Sequence, residues 1–224
     1  MSEPVRAVLF DLDGTLAATM EPWDTCWFDY AARHGHAWTD ADRQQTHGCG
    51  DWAHHLAQVC GARSRDQVVT DCVDRMLEHL CAGNIELLPG VRELLAAAAT
   101  VPTGVVSASP QRFVHAVLEH FDLHRTFAIV VTREDHESTK PHPAPYLHAA
   151  GQLGVHPKHS VAVEDSAAGI RSAYTAGMRV LAIPSWPPTR SAHEAALADH
   201  LAADAAQAGR WLRDQLSTTA RRTG

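Results

Sequence analysis

The sequence predicts an α/β fold in which a parallel sheet is wrapped by helices and carries an all-helical insertion. Three observations predict it: an apolar first strand, a block with only helical periodicity, and a second half in which strands and helices alternate. Such alternation is typical of parallel sheets, because each helix carries the chain back to the start of the next strand. With 224 residues, 45% of them hydrophobic, the chain can form one such domain and an insertion.

The first strand and the insertion occupy the N-terminal part of the chain. Residues 5–10 are mostly β-branched or large apolar residues without polar alternation, which predicts a strand buried on both faces. Residues 17–86 show no strand pattern, but apolar residues recur there at helical spacing. Helices are therefore predicted around residues 23–31, 52–60 and 69–80.

From residue 89 onward the pattern alternates between helix and strand. Helices are predicted at 91–99, 113–121, 144–153 and 168–176, and strands at 103–106, 127–131, 160–163 and 179–183. The strand at 179–183 is predicted to be the last, and the alanine-rich stretch 193–216 to form one or two closing helices. The predicted domains are a core of residues 1–16 and 87–224 and an insertion of residues 17–86.

Two carboxylates stand directly after the first strand. Asp11 and Asp13 are two residues apart, so in an extended chain both side chains point the same way. Carboxylates this close repel each other unless a cation lies between them or one holds a proton. Gly14 then permits a tight turn, and Thr15 adds a hydroxyl. These residues predict a site for a hard divalent cation and for covalent chemistry by an aspartate.

Four short motifs follow one another along the chain, each at or just beyond the end of a predicted strand. They are DLDGTL (11–16), VVSAS (105–109), TKPHPAPY (139–146) and VAVEDSAAGI (161–170). In this order they resemble the motifs of the haloacid dehalogenase superfamily, whose members are mostly phosphatases. The resemblance spans residues 5–183. It implies a Rossmann-like core, with the helical insertion as the cap of one subclass.

The resemblance implies a role for each acidic residue. Asp11 would be the nucleophile that forms an aspartyl-phosphate, and Asp13 would protonate the leaving group and then activate water. Mg²⁺ would be the cofactor, held by Asp11, the Asp13 carbonyl and Asp165. Asp165 also follows a buried strand, where an unpaired carboxylate is costly. Glu164 is placed outside the ligand set, where it could orient metal-bound waters.

Lys140, Ser107 and Ala108 complete the predicted site. The chain has only two lysines among its 19 basic residues, so a lysine in the third motif indicates a need for a compact ammonium between Asp11 and phosphate. The Ser107 hydroxyl and the Ala108 amide are expected to hold a phosphate oxygen. Ser109, which precedes a proline, is interpreted as a helix cap.

Composition limits the partners and the compartment. The net charge of −7 argues against a nucleic-acid or anionic membrane surface, and no apolar stretch is long enough to span a bilayer. No signal peptide is expected, because the N-terminus enters a strand almost at once. The five cysteines lack CxxC spacing and indicate a reducing cytoplasm. We expect a cytoplasmic monomer or weak dimer that acts on a small phosphorylated substrate.

Related chemistries need other residues. A haloacid dehalogenase lacks the second aspartate, which is Asp13 here, and a phosphonoacetaldehyde hydrolase needs a cap lysine, but no lysine precedes Lys140. A β-phosphoglucomutase-like mutase uses the same four motifs and stays open as an alternative. Such a mutase has a histidine where Trp23 stands, together with a lysine and an arginine in its cap. A catalytically silent binding protein is a more remote alternative.

The cap is expected to determine substrate choice. Trp23 and Trp52 lie near the starts of predicted helices. They are predicted to face the substrate, since aromatic walls are common in small-ligand pockets, with a place in the cap's own interior as the alternative. Without a cap lysine, the leaving group is predicted to be neutral or weakly charged, such as a sugar or another alcohol. A cap zinc site is not predicted, because the spacing matches no common zinc signature. The residues concerned are His47, Cys49, His54 and His55.

Overall fold

The computed structural model describes residues 4–46, 51–62, 64–184 and 192–223. The strands found there are β1 Ala7–Phe10, β2 Thr103–Val106, β3 Ile129–Val131, β4 Ser160–Glu164, β5 Arg179–Ala182 and β6 His200–Leu201. All pair in parallel, in one sheet with the order β3-β2-β1-β4-β5-β6. The predicted α/β fold class, with a parallel sheet wrapped by helices, is confirmed.

Strand β1 lies inside the sheet and is buried on both faces. Val8 pairs with Thr103 of β2, and Phe10 pairs with Val163 of β4. Because successive side chains point to opposite faces, Leu9 packs into one apolar cluster and Phe10 into another. The continuous apolar run therefore has a physical cause: helices cover both sides of the strand.

Helices connect the strands and also form the insertion. In the insertion they are α1 Met20–Arg33, α2 Asp40–Thr46, α3 Trp52–Val59 and α4 Arg65–Cys81. Those that follow are α5 Val91–Ala98, α6 Gln111–His120, α7 Ala144–Gln152, α8 Ala167–Thr175, α9 Ala192–Ala195 and α10 Ala205–Thr223. Among the described residues, no helix is both long enough and apolar enough to cross a membrane.

The helices of the insertion pack on one another and on the core. Helix α4 contacts α1 and α3 within the insertion, and it also contacts α6, which follows β2. Most of the apolar residues that predicted these helices are buried, including Trp23 and Trp27 of α1 and Met76 of α4. The division into a core and a cap at residues 17 and 86 stays a prediction.

Among the α-helices and strands of the described residues, two were not predicted. Helix α2 carries no apolar stripe, since its buried residues are Asp42 and Thr46; Asp42 instead accepts hydrogen bonds from the Thr39 amide and hydroxyl at 2.8 and 2.6 Å. The prediction that the strand at 179–183 is the last was wrong, because β6 pairs with β5 beyond it. Only two residues long, β6 is too short for its periodicity to be read from sequence.

Candidate active site

The polar residues of the four motifs meet at the carboxyl edge of the sheet. Asp11 directly follows β1 and Ser107 directly follows β2, while Glu164 ends β4 and Asp165 follows it. The fifth residue, Lys140, lies in the loop between β3 and α7. This edge is where parallel α/β sheets bind ligands, because the loops after the strands leave a crevice there.

The turn after β1 brings this segment close to Asp165. Gly14 has φ +83°, and the Leu12 carbonyl accepts hydrogen bonds from the amides of Leu16 and Ala17 at 2.9 and 3.0 Å. A Cβ atom on Gly14 would lie 2.2 Å from Oδ2 of Asp165. A side chain is therefore excluded at Gly14 both by the backbone conformation and by the approach of the Asp165 carboxylate.

Lys140 joins two buried carboxylates. Its ammonium Nζ donates to Oδ1 of Asp11 at 2.7 Å, to Oε1 of Glu164 at 2.6 Å and to the Val106 carbonyl at 2.8 Å. All three donors of the ammonium are thus used, in a position where Lys140 is 2% exposed. We call Asp11, Lys140 and Glu164 the lysine cluster.

Tyr146 and Gly169 hold Glu164 in the lysine cluster. The Tyr146 hydroxyl donates to Oε1 of Glu164 at 2.6 Å, and the Ser166 hydroxyl donates to Oε2 at 3.2 Å. Gly169 leaves room for the carboxylate, since a Cβ atom there would lie 2.0 Å from Cδ and from both oxygens of Glu164. The Glu164 oxygens are therefore committed to neighbours within the protein.

The electrostatics of the lysine cluster favour a further cation. Burial raises the pKa of Asp11 to about 7, although Lys140 acts in the opposite direction and Glu164 adds to the rise. Burial alone would lower the pKa of Lys140, but Asp11 and Glu164 together raise it above its ordinary value. One ammonium thus keeps its proton but does not compensate two buried carboxylates.

The donor set at this edge fits a hard divalent ion. Asp11, Glu164 and Asp165 each offer an oxygen within 4.8 Å of the other two. Among the described residues, they form the one group of three or more potential metal ligands that lie this close together. Oδ2 of Asp11 is buried without a hydrogen-bond partner in the described part of the chain. Three buried carboxylates beside one ammonium would carry a net charge of −2 when ionised, which a divalent cation matches.

Asp13 has a different environment. Its Oδ1 accepts hydrogen bonds from the Thr19 hydroxyl at 2.7 Å and from the Trp23 indole nitrogen at 3.1 Å. Its Oδ2 accepts from the hydroxyls of Ser107 at 3.1 Å and Ser109 at 2.7 Å. These four neutral donors, which we call the Asp13 shell, hold a half-buried carboxylate.

The aromatic residues of the insertion pack beside the Asp13 shell. The Trp23 ring centroid lies 5.5 Å from that of Trp27, 5.2 Å from that of Trp52 and 5.2 Å from that of Phe113 in α6. Trp23 and Trp52 are 3% and 4% exposed. In this structure both residues are buried among other rings. The substrate contact predicted for them stays a prediction.

The structure brings together Asp11, Asp13, Ser107, Lys140 and Asp165 as the motif order predicts, with Ala108 in the loop beside Ser107. The interpretation of Ser109 as a helix cap was wrong, because its hydroxyl donates to Asp13 and the N-cap position of α6 is occupied by Pro110, which makes no side-chain cap hydrogen bond. Thr19 and Tyr146 were not predicted as site residues. Of the residues weighed for zinc, His47 and Cys49 lie outside the described residues.

The family model described as haloacid dehalogenase-like hydrolase matches residues 8–183. The chain belongs to this family. It is 34% identical to hexitol phosphatase B of Escherichia coli strain K12 over an alignment of 199 residues. The alignment covers 83% of this chain and 87% of that protein. The predicted family, and the prediction that this haloacid dehalogenase-like chain is a phosphatase-type hydrolase, are confirmed by these similarities.

Two solved structures resemble this one over nearly the whole chain. CbbY from Rhodobacter sphaeroides in complex with phosphate has a TM-score of 0.78 and 27% identity, over 91% of this chain and 96% of that one. β-Phosphoglucomutase from Clostridium difficile has a TM-score of 0.80 over 97% of this chain and 100% of that one. Because the two sequences are only 19% identical, this second similarity shows a shared fold and nothing more.

Proposed function

We propose that the protein is a Mg²⁺-dependent phosphatase that hydrolyses a small phosphate monoester through an aspartyl-phosphate on Asp11. One observation carries the proposal. Asp11 is fixed by Lys140 through Oδ1, while its Oδ2 is buried without a hydrogen-bond partner among the described residues. Such an oxygen, held in place with its lone pairs available, suits a nucleophile or a metal ligand.

The residues that would hold Mg²⁺ are Asp11, the main-chain carbonyl of Asp13, and Asp165. Glu164 is less suited, because Lys140, Tyr146 and Ser166 already bind its two oxygens. When bound, the ion would neutralise charge on the phosphoryl oxygens and favour the ionised form of the surrounding carboxylates.

In the first step, a carboxylate oxygen of Asp11 attacks phosphorus, and the bond between phosphorus and the leaving oxygen breaks. Asp13 supplies the proton that the leaving alkoxide needs, so an alcohol departs. The ammonium of Lys140, 2.7 Å from Asp11, stabilises the negative charge on the carboxylate and on the transferred phosphoryl group. The product of this step is a phosphate ester of the Asp11 carboxyl.

In the second step, a water molecule attacks phosphorus and the bond to Asp11 breaks. Asp13, now ionised, takes a proton from this water, and inorganic phosphate leaves with Asp11 restored as a carboxylate. The Ser107 hydroxyl and the Ala108 amide would hold a phosphoryl oxygen through both steps. The Ser107 hydroxyl has one proton, which it donates to Asp13 at 3.1 Å in this structure, so it must turn towards the phosphoryl oxygen when phosphate binds.

The leaving group is proposed to be a polyhydroxy alcohol or sugar. A cleft of about 380 Å³ between the insertion and the core is lined by Trp52 and by four charged residues, namely Arg65, Asp66, Arg133 and Glu134. Two positive and two negative side chains give this lining no net charge, which suits a neutral ligand with many hydroxyls. Hexitol phosphatase B, by its name, acts on phosphorylated hexitols.

A panel of phosphorylated sugars, polyols and 4-nitrophenyl phosphate, incubated with the protein and Mg²⁺, tests this function. The proposal expects release of inorganic phosphate, with at least one sugar or polyol phosphate preferred over the aryl phosphate. Phosphorus NMR of the same mixtures would detect isomerisation. A sugar 1-phosphate that becomes the 6-phosphate without release of phosphate would identify a mutase, and no turnover of any member would leave a binding protein.

A further inference from the structure

The Asp13 shell joins two parts of the chain. Thr19 and Trp23 belong to the start of α1 in the insertion, whereas Ser107 and Ser109 belong to the loop after β2 in the core. The Asp13 carboxylate therefore links the first helix of the insertion to the edge of the sheet. A change in the position of α1 relative to β2 must alter at least one pair of these hydrogen bonds.

Thr19 and Trp23 both reach Asp13 because they lie one helical turn apart. The Trp23 amide donates to the Thr19 carbonyl at 2.9 Å, which is the i to i−4 bond of the first turn of α1. Residues four apart lie on the same helix face, so both side chains point to the same carboxylate oxygen. The first turn of α1 thus presents two donors to Oδ1.

The direction of the indole N–H is fixed by packing. The Trp23 ring is surrounded by Trp27 of the same helix, Trp52 of α3 and Phe113 of α6, with ring centroids 5.2 to 5.5 Å away. Two of these helices belong to the insertion and one to the core. The N–H that meets Asp13 is therefore set by the relative position of three helices.

Trp23 also differs chemically from the other donors in the Asp13 shell. A hydroxyl can rotate and can either donate or accept, whereas the indole N–H only donates. Thr19, Ser107 and Ser109 can therefore follow Asp13 into other orientations, but Trp23 accepts only one in which a carboxylate oxygen faces it. Among the four, the indole is the group that restricts the orientation of the carboxylate.

We propose that Trp23 is a positioning residue for Asp13, which sets the orientation of its carboxylate from the insertion and so makes protonation of the leaving group depend on where α1 lies. This rests on the proposed function, in which Asp13 is the proton donor. Removing the N–H should impair the first step for substrates whose leaving group needs a proton and should spare that step for substrates whose leaving group departs without one.

The test compares Trp23→Phe with Trp27→Phe on two substrates. Trp27 is a matched control, because it lies one turn further along α1 in the same aromatic cluster and is also 3% exposed. For Trp23→Phe, kcat/KM, which reports the first chemical step and not hydrolysis of the phosphoenzyme, should fall about 10- to 100-fold on the best alkyl phosphate of the panel and less than about 3-fold on 4-nitrophenyl phosphate. Trp27→Phe should change both by the same factor.

An unchanged ratio of the two kcat/KM values in Trp23→Phe, or a ratio shifted in favour of the alkyl phosphate, would overturn the proposal. Should Trp23→Phe not fold, 3-benzothienylalanine at position 23 keeps the ring shape and replaces N–H by sulfur, and the same ratio applies. If the unsubstituted protein hydrolyses no member of the panel, the proposed function fails rather than this inference.

The hydrogen bond itself can be measured without turnover. In protein labelled with ¹⁵N at tryptophan, the Nε1–H resonance of Trp23 should move upfield in Asp13→Ala, because it loses a charged acceptor. The resonance of Trp27 should move much less. If both resonances moved equally, or if neither moved, the contact between Trp23 and Asp13 would be absent in solution. That result would contradict the positioning role independently of any activity.

Discussion

Asp11 and Asp13 are two residues apart, yet they are held in opposite ways. Asp11 is buried with Lys140 and Glu164, where formal charges face one another and burial raises the pKa of Asp11 to about 7. Asp13 is half-buried among neutral hydroxyls and one indole. In the first environment charges of both signs face one another, whereas in the second a single carboxylate meets only neutral donors, three of which are hydroxyls that can rotate.

The difference matches the two proposed roles. A nucleophile must keep one position through two chemical steps, and the lysine cluster provides it through bonds of 2.6 to 2.8 Å with no exposed partner. A proton donor that later becomes a base must change its state and meet two different groups, which rotatable hydroxyls allow. The two environments meet at the turn between β1 and α1.

The largest effect is expected from Asp11→Asn. The amide is almost isosteric but is a poor nucleophile, so turnover should fall below about a hundredth of the unsubstituted rate on alkyl and aryl phosphates alike. Steady-state phosphate release measures it, with cooperative thermal unfolding as the control for folding. A variant that kept more activity than this would show that Asp11 is not the covalent residue.

The next largest effect is expected from removing Mg²⁺, which the carboxylates around Asp11 are proposed to hold. Chelator should abolish activity, Mg²⁺ should restore it, and Ca²⁺ should do so poorly, because its larger and more flexible shell places oxygens differently. Bound Mg²⁺ should also raise the free energy of unfolding, by about 2.7 kcal/mol at a free concentration of one hundred times Kd.

Asp165→Asn should remove most of this stabilisation, whereas Asp74→Asn, an exposed carboxylate on α4, should retain it. Thermal denaturation with and without Mg²⁺ measures the difference. Full activity in excess chelator would contradict a metal-dependent mechanism.

Two glycines test how tightly the lysine cluster is packed. In Gly169→Ala the new Cβ would lie 2.0 Å from the Glu164 carboxylate, so Glu164 must move and the free energy of unfolding should fall by about 1–3 kcal/mol. Turnover should also fall, because Lys140 loses one of its partners. Gly151→Ala in α7 meets no atom within 4 Å and should stabilise by up to about 1 kcal/mol. Equal effects of the two changes would refute the close packing of Glu164.

The smallest expected effect concerns Asp42 in α2, a carboxylate with a donor shell like that of Asp13. Burial acts to raise the pKa of Asp42, but hydrogen bonds from Thr39, His55 and His36 outweigh burial and lower it. A lowered pKa means that its contribution to stability is present above the unfolded value of about 3.9 and is lost as the pH falls through the folded value.

Asp42→Asn should therefore destabilise the protein at neutral pH, and the difference from the unsubstituted protein should shrink below about pH 4. Asp40→Asn, on the same helix but 90% exposed at its side chain, should change stability little. Urea denaturation across this range measures both. A difference that grew on acidification would contradict the assigned direction of the pKa.

The sequence predicted the lysine cluster better than the Asp13 shell, for a physical reason. Asp11 and Glu164 stand at the ends of strands whose apolar runs are easy to recognise, and Lys140 is one of only two lysines in the chain. In the Asp13 shell, Ser109 carries the same pattern as an ordinary helix cap. The neighbour of the lysine cluster that was missed, Tyr146, likewise carries the same pattern as an apolar residue of a helix. A hydroxyl that binds a distant carboxylate leaves no local signal in sequence.

Helix α2 and strand β6 were missed for the same reason, namely that contacts distant from the local apolar pattern stabilise them. Helix α2 is stabilised by side chains such as Thr39 and Asp42, which bind one another instead of forming an apolar stripe. Strand β6 consists of two residues that pair with the edge of β5. Both depend on contacts made in three dimensions, whereas the central strands could be predicted because burial on two faces dictates their composition.

The most direct test of the central claim is chemical trapping of the phosphorylated residue. The protein is mixed with a preferred substrate and Mg²⁺, quenched in acid during turnover and treated with borohydride, which reduces an aspartyl-phosphate to homoserine. Mass spectrometry of the peptide that contains residues 7–16 should find homoserine at position 11, aspartate at position 13, and no homoserine in Asp11→Asn. Turnover with unmodified Asp11 in every quenched sample, or homoserine at Asp13, would contradict a covalent role for Asp11.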